Sequence, residues 1–107
     1  MSTDMAFAEH ADKAMEKIYE LLADIDPDEL DVDLAMGVLS MEFADGSKCI
    51  MNRQTAAQQI WLAHGASAYH FAQEEMSGPW IDTKGRGELR TVLRELLSDK
   101  LERPITL

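Results

Sequence analysis

The apolar positions along the chain change their period twice. Phe7, Ala11, Ala14, Met15, Ile18, Leu21, Leu22 and Ile25 recur at three- and four-residue spacing, which makes one apolar stripe and predicts an amphipathic helix. Thr3 or Asp4 is placed to cap its start. Pro27 disfavours helical backbone in the residue before it, so the helix stops by Asp26. From Val38 the period falls to two. Leu39, Met41 and Phe43 alternate with Val38, Ser40 and Glu42, as in a half-buried strand. Asp45-Gly46 signals a hairpin, with the returning strand over residues 48–54. A plain two-residue turn pairs Phe43 with Lys48 and turns Lys48, Ile50 and Asn52 inward. Polarity instead favours Cys49 and Met51 inside. A bulge or longer loop at Gly46 reconciles the two, because one added residue flips every side chain that follows.

Residues 58–64 read as a third strand with Ile60 and Leu62 inward. Residues 68–73 and 80–83 read as two more, separated by a Ser77-Gly78-Pro79 turn. After Gly85 and Gly87 the helical period returns in Leu89, Val92, Leu93, Leu96, Leu97 and Leu101, predicting a second helix over about 88–101. Pro104 keeps the tail out of that helix, and Ile105 and Leu107 are left to pack against the helices. The order predicts an α+β fold: a two-layer α/β sandwich, two helices on one face of an antiparallel sheet of about five to six strands. Such a sheet leaves its second face uncovered. At 107 residues, residues 1–107 are read as a single domain.

Charge changes this picture. Residues 1–47 hold thirteen acidic and two basic side chains, and residues 48–107 hold seven acidic and eight basic. The net charge of −10 therefore sits in the first half. Crowded like charges destabilise a compact state, which points to cations or a basic protein as partners. The sign argues against nucleic acid and anionic membranes. No apolar run reaches the length of a membrane span, and the start of the chain resembles neither a signal nor a transit peptide. The lone Cys49 makes no internal disulfide, which fits a reducing compartment. The expected setting is the bacterial cytoplasm, with a mature chain in a mitochondrial or related organelle matrix as the alternative.

Two surfaces are candidates for function. Asp12, Glu16, Glu20 and Asp24 are each four residues apart, and Asp26, Asp28, Glu29, Asp31 and Asp33 follow on a loop and strand edge. Carboxylate oxygens are hard donors suited to Ca²⁺, Mg²⁺, Mn²⁺ and oxidised iron. The run is no EF-hand, since it lacks the Gly and terminal Glu at loop spacing. No Cys lies near, so any ion is held weakly and keeps several waters. The competing reading is a solvated acidic face. The second surface is the open sheet face, toward which Trp61 points if Ile60 and Leu62 point inward. Asn52, Arg53 and Gln54 lie on the neighbouring strand, and Trp and Arg are enriched at interface hot spots. The competing reading buries Trp61 in the core. His10, His64 and His70 are scattered, and no nucleophile, metalloprotease or nucleotide motif occurs. Cys49 reads as a small buried hydrophobe.

The segments Gly37-Val38-Leu39-Ser40-Met41-Glu42-Phe43, Asp45-Gly46-Ser47, Asn52-Arg53-Gln54, Gln59-Ile60-Trp61-Leu62-Ala63 and Tyr69-His70-Phe71 resemble the frataxin family in order and spacing. The likeness extends through both helices, and the short chain is similar to bacterial members. The resemblance implies a sandwich of two helices on a sheet and a role in iron–sulfur cluster assembly. It implies weak binding of Fe²⁺ and Fe³⁺, with other divalent cations able to substitute, at Glu16, Glu20, Asp24, Asp26, Asp28, Asp31 and Asp33, and beyond that set at Asp12 and Glu29. It implies docking on the complex of cysteine desulfurase and scaffold protein through Asn52, Gln54 and Trp61, with Arg53 beside them. A monomer is expected, with iron-induced oligomers as the alternative. The expected role is a non-enzymatic regulator. A ferroxidase or iron store on the same ridge is the alternative, and a plain acidic adaptor is a third reading. The chain departs from the family at Ser67-Ala68, where Gly-Gly or Gly-Pro is common, at Ala56 for a common Pro, and at Ala35 for an acidic residue. Lys84 stands where an Arg is common, which puts a bidentate contact there in question.

Overall fold

The computed structural model of the protein describes residues 3–75 and 78–107. Helix α1 (Thr3–Leu22) is followed by strands β1 (Leu30–Ala35), β2 (Val38–Phe43), β3 (Lys48–Gln54), β4 (Gln59–His64), β5 (Ser67–Gln73) and β6 (Trp80–Asp82), then helix α2 (Leu89–Leu101). The strands form one antiparallel meander in chain order. Phe7, Ala11, Met15, Ile18 and Leu22 of α1 and Leu89, Val92, Leu93 and Leu97 of α2 share a core with Leu39, Met41, Cys49, Met51, Ile60, Leu62 and Phe71 of the sheet. Both helices thus cover one sheet face, and the fold is the two-layer sandwich that the periodicity predicts.

The hairpin conflict resolves at Gly46. Met41 lies opposite Cys49 and Glu42 opposite Lys48. Phe43 N–H donates to Ser47 O at 2.9 Å, and Gly46 N–H donates back to Phe43 O at 2.9 Å. Three residues, Ala44 to Gly46, therefore make the turn, and Gly46 takes φ 87°, a left-handed value that glycine reaches without strain. The extra residue returns Cys49 and Met51 to the core beside Met41.

Three boundaries differ from expectation. Helix α1 ends at Leu22, within the limit set by Pro27 but before Ile25 of the predicted stripe. Asp26 instead organises its own turn: its side chain accepts Asp28 N–H at 2.9 Å, and its carbonyl accepts Glu29 N–H and Leu30 N–H. This is the backbone alternative that aspartate offers to a helix. Asp4 sits within the first turn of α1 and does not cap it; its carboxylate accepts Gln58 Nε2 at 2.6 Å. Residues 30–35, read as loop and strand edge, form the full sixth strand β1. Ser77 of the expected turn lies outside the described residues. Glu88 caps α2, its carboxylate accepting Thr91 N–H at 3.1 Å, and Ile105 and Leu107 pack on the core as expected. No helix among the described residues is long and apolar enough to cross a membrane.

Candidate functional site

The predicted ridge carboxylates divide into two kinds. Asp12, on α1, is held by Arg53, whose Nη1 reaches both carboxylate oxygens at 2.6 Å. Glu29 pairs with Arg103 at 2.7 Å. The carboxylates of Glu16, Glu20, Asp24, Asp28, Asp31 and Asp33 accept no hydrogen bond and make no ion pair among the described residues. Asp26 is engaged by the backbone of its own turn. Lys13 pairs with Glu9 at 3.0 Å, off the ridge, and draws the Glu9 carboxyl below its ordinary range. The open carboxylates run along one flank, from α1 through the turn to β1, whose Asp31 and Asp33 are exposed while Leu30 is buried.

Among the described residues, no three His, Cys, Asp or Glu side chains converge on a point that could hold one metal ion. The donor chemistry fits hard cations, iron included, but through single carboxylates that leave an ion most of its water. A row of unpaired charges of one sign also sets up a field that attracts a basic surface before contact.

The open sheet face is built by cross-strand rows. Val38 lies opposite Asn52, Asn52 opposite Trp61, and Trp61 opposite His70. Ile60 and Leu62 are fully buried on the other side, so Trp61 faces outward as the strand period requires. Its indole N–H donates to Gln59 Oε1 at 2.7 Å. Its ring stacks on His70 with centroids 4.3 Å apart and planes 15° from parallel. The stack fixes a flat aromatic plate on a face of mixed polarity, with Gln54 and Gln59 in one adjoining row and Ile50, Ala63 and Ala68 in the other.

Arg53 requires a correction. It stands between Asn52 and Gln54 in β3, so the two-residue period sends its side chain to the helix-covered face. There it meets Asp12, and it does not join Asn52, Gln54 and Trp61.

Sequence reasoning missed the most heavily bonded carboxylate of the molecule. Asp82 ends β6 on the inward side and is 2% exposed. It accepts His70 N–H (3.3 Å), Lys84 N–H (3.2 Å), Arg86 N–H (3.0 Å), Arg86 Nε (2.7 Å) and Arg86 Nη2 (3.1 Å). The Arg86 guanidinium, followed by the backbone donors, holds the Asp82 carboxyl down at about 2 despite its burial. Arg86 also donates to Ala68 O at 2.7 Å and lies 4.1 Å over the Tyr69 ring. The planar fork in question at Lys84 is present two residues later. The signal available was the alternation Trp80, Ile81, Asp82, which puts the carboxylate on the buried side. Cys49 is fully buried, and burial pushes its thiol up to about 12, the opposite of the exposed, low-pKa setting of a reactive cysteine.

Residues 1–103 match the sequence model of the frataxin-like domain, and the chain belongs to the frataxin family. It is similar to the iron-sulfur cluster assembly protein CyaY of Dechloromonas aromatica, 40% identical over 105 residues that cover 97% of each chain. The CyaY of Thioalkalivibrio sulfidiphilus is 38% identical over 96 residues, 89% of this chain and 90% of that protein. Among solved structures, frataxin from Psychromonas ingrahamii superposes with a TM-score of 0.86 at 28% identity, covering 97% of this chain and 96% of that one. Yeast frataxin gives 0.70 at 27% identity over 90% and 80%.

Proposed function

We propose that this protein is an accessory and regulator of iron–sulfur cluster assembly. It holds Fe²⁺ and Fe³⁺ weakly as cargo on the flank from Glu16 to Asp33, and it docks on the cysteine desulfurase–scaffold complex through the face around Trp61. The observation that carries the reading is the adjacency of two features. A row of carboxylates without cationic partners among the described residues ends on β1, at the margin of an uncovered sheet face. That face holds the stacked Trp61 and His70 plate. The names of the relatives, iron-sulfur cluster assembly proteins, support the process, and their bacterial sources support a cytoplasmic setting.

The ridge supplies long-range, salt-sensitive attraction. The plate supplies short-range contact, with Asn52 and Gln54 as hydrogen-bonding neighbours. A ferroxidase would need several ligands around one open position, and the described carboxylates do not converge in that way. The test is a desulfurase assay on a purified bacterial desulfurase–scaffold complex, paired with Fe²⁺ binding under anaerobic conditions. Trp61→Ala is expected to lose the effect on desulfurase rate and keep iron binding. The triple variant Glu16→Gln, Glu20→Gln, Asp24→Asn is expected to weaken both. A Trp61→Ala protein that modulates the desulfurase as wild type does would overturn the docking assignment.

A further inference from the structure

We propose that the free edge of β1, with the groove between it and α1, is a docking site for an extended segment of a partner protein in which basic and apolar residues alternate. This goes beyond the function above and draws on Asp31 and Asp33 of the same flank.

Among the described residues, strand β1 pairs only with β2. In an antiparallel pair, alternate residues direct their N–H and C=O groups to the neighbour, and the rest direct theirs to the free side. Six residues offer an edge of roughly 20 Å. The sheet's other edge is different: β6 has three residues, and its Ile81 is bridged by Glu88. Beside β1 lies an open groove of about 570 Å³, with Met15, Glu16, Leu34, Ala35, Met36 and Arg53 among its walls. An added strand would direct every second side chain toward it.

Met36 marks the end of this groove. It is 99% exposed and holds φ 53°, followed by Gly37 at φ 77°. Two successive left-handed residues make the tight turn that asparagine or glycine suits best. A methionine here is unfavourable twice over, in its backbone and in its bare apolar side chain. Such local conflicts are where contact surfaces are found.

Charge selects the occupant. Antiparallel pairing of two copies through β1 would set Asp31 and Asp33 of one against those of the other, and like charges placed opposite are destabilising. A segment with Lys or Arg on that side turns the same carboxylates into attraction. Its intervening apolar side chains would then meet Leu34 and Met36. Backbone pairing would supply affinity, and the alternation would supply register.

The probe is a capped seven-residue peptide alternating Lys and Val, titrated into the whole protein at fixed salt and followed by the amide resonances of residues 30–36. Two controls carry the same charge: one is N-methylated at every Lys, the other at every Val. Strand addition predicts that one of these patterns loses at least tenfold in affinity and the other binds like the parent. It also predicts that Met36→Gly binds the parent several-fold more weakly while melting at a higher temperature than wild type. Equal binding by both methylated peptides would mean charge attraction alone and would overturn the proposal. So would shifts that bypass β1, unchanged affinity in Met36→Gly, or self-association through β1 without peptide.

Discussion

Asp82 and the carboxylates of the α1–β1 flank are the same chemical group put to opposite uses. Asp82 is sealed from water and takes five hydrogen bonds, two of them from one guanidinium. Glu16, Glu20, Asp24, Asp31 and Asp33 stand in solvent with no partner among the described residues. The first arrangement ties β5, β6 and the approach to α2 into one corner. The second leaves charge available to whatever arrives. Where a carboxylate is satisfied internally it stabilises the fold. Where it is left open, like-charge repulsion destabilises the fold slightly, an effect that a bound cation would reverse.

The sharpest way to break the comparison is to remove charge from each side in turn. Asp82→Asn leaves Arg86 without its counter-ion and presents amide hydrogens to backbone donors. Breaking a buried pair costs roughly 3–5 kcal/mol, and because Arg86 is partly exposed the lower end, about 3 kcal/mol, is expected in urea melts. The pH dependence has a definite sign. The carboxyl of Asp82 is lowered from 3.8 to about 2 in the folded protein. Its contribution is therefore complete above pH 4 and fades as pH falls toward 2; the shift corresponds to about 2 kcal/mol. Wild type should lose this increment between pH 4 and 2, and Asp82→Asn should not. A flat difference between the two proteins across that window would show that the charge of Asp82 is idle.

Neutralising the open flank should act in the other direction. In the triple variant Glu16→Gln, Glu20→Gln, Asp24→Asn, the helix pairs of Asp12 with Glu16 and of Glu16 with Glu20 lose their repulsion, each worth roughly 0.2–0.5 kcal/mol, and Asp24 loses its charge in the turn just beyond α1. The triple variant should gain about 1 kcal/mol in low salt, and the gain should shrink as salt is added. Wild type should melt higher with Mn²⁺ or Ca²⁺ present, by mass action on the folded state, and the triple variant should respond far less. Equal cation responses in calorimetry would separate the ridge from metal binding.

The two regions were unequally legible. The ridge is local: spacing of four along one helix and a run of aspartates can be seen without knowing what touches what. The Trp61 face followed from alternation once Ile60 and Leu62 were set inward. Asp82 depends on donors from residues 70, 84 and 86, which only the β5–β6 pairing brings together. Strand β1 shows the reverse problem. Leu30, Val32 and Leu34 alternate cleanly with Asp31, Asp33 and Ala35, a strand period overlaid on the run of aspartates that continues from the preceding turn. Chain order sets Arg53 beside Asn52 and Gln54, but the strand period separates it from them. Its true partner, Asp12, lies 41 residues away.

That Arg53–Asp12 pair sits between the two regimes and gives the smallest expected effect. It has the 2.6 Å contacts of the Asp82 corner, yet its side chains are 30% and 42% exposed, nearer to the open ridge. If geometry governs, the pair should behave like Asp82 and couple strongly. If solvent governs, screening should hold the coupling within the range of about 0.2–1 kcal/mol seen for exposed pairs. The exposure argues for the second outcome. A double-mutant cycle of Asp12→Asn and Arg53→Gln should give about 0.5 kcal/mol at low salt, falling further as salt is added. Asp12→Asn alone should leave Arg53 free to swing toward Glu16 across the groove that both line. A coupling above 2 kcal/mol would mean that Asp12 belongs to the fold rather than to the ridge, and that the open flank begins at Glu16.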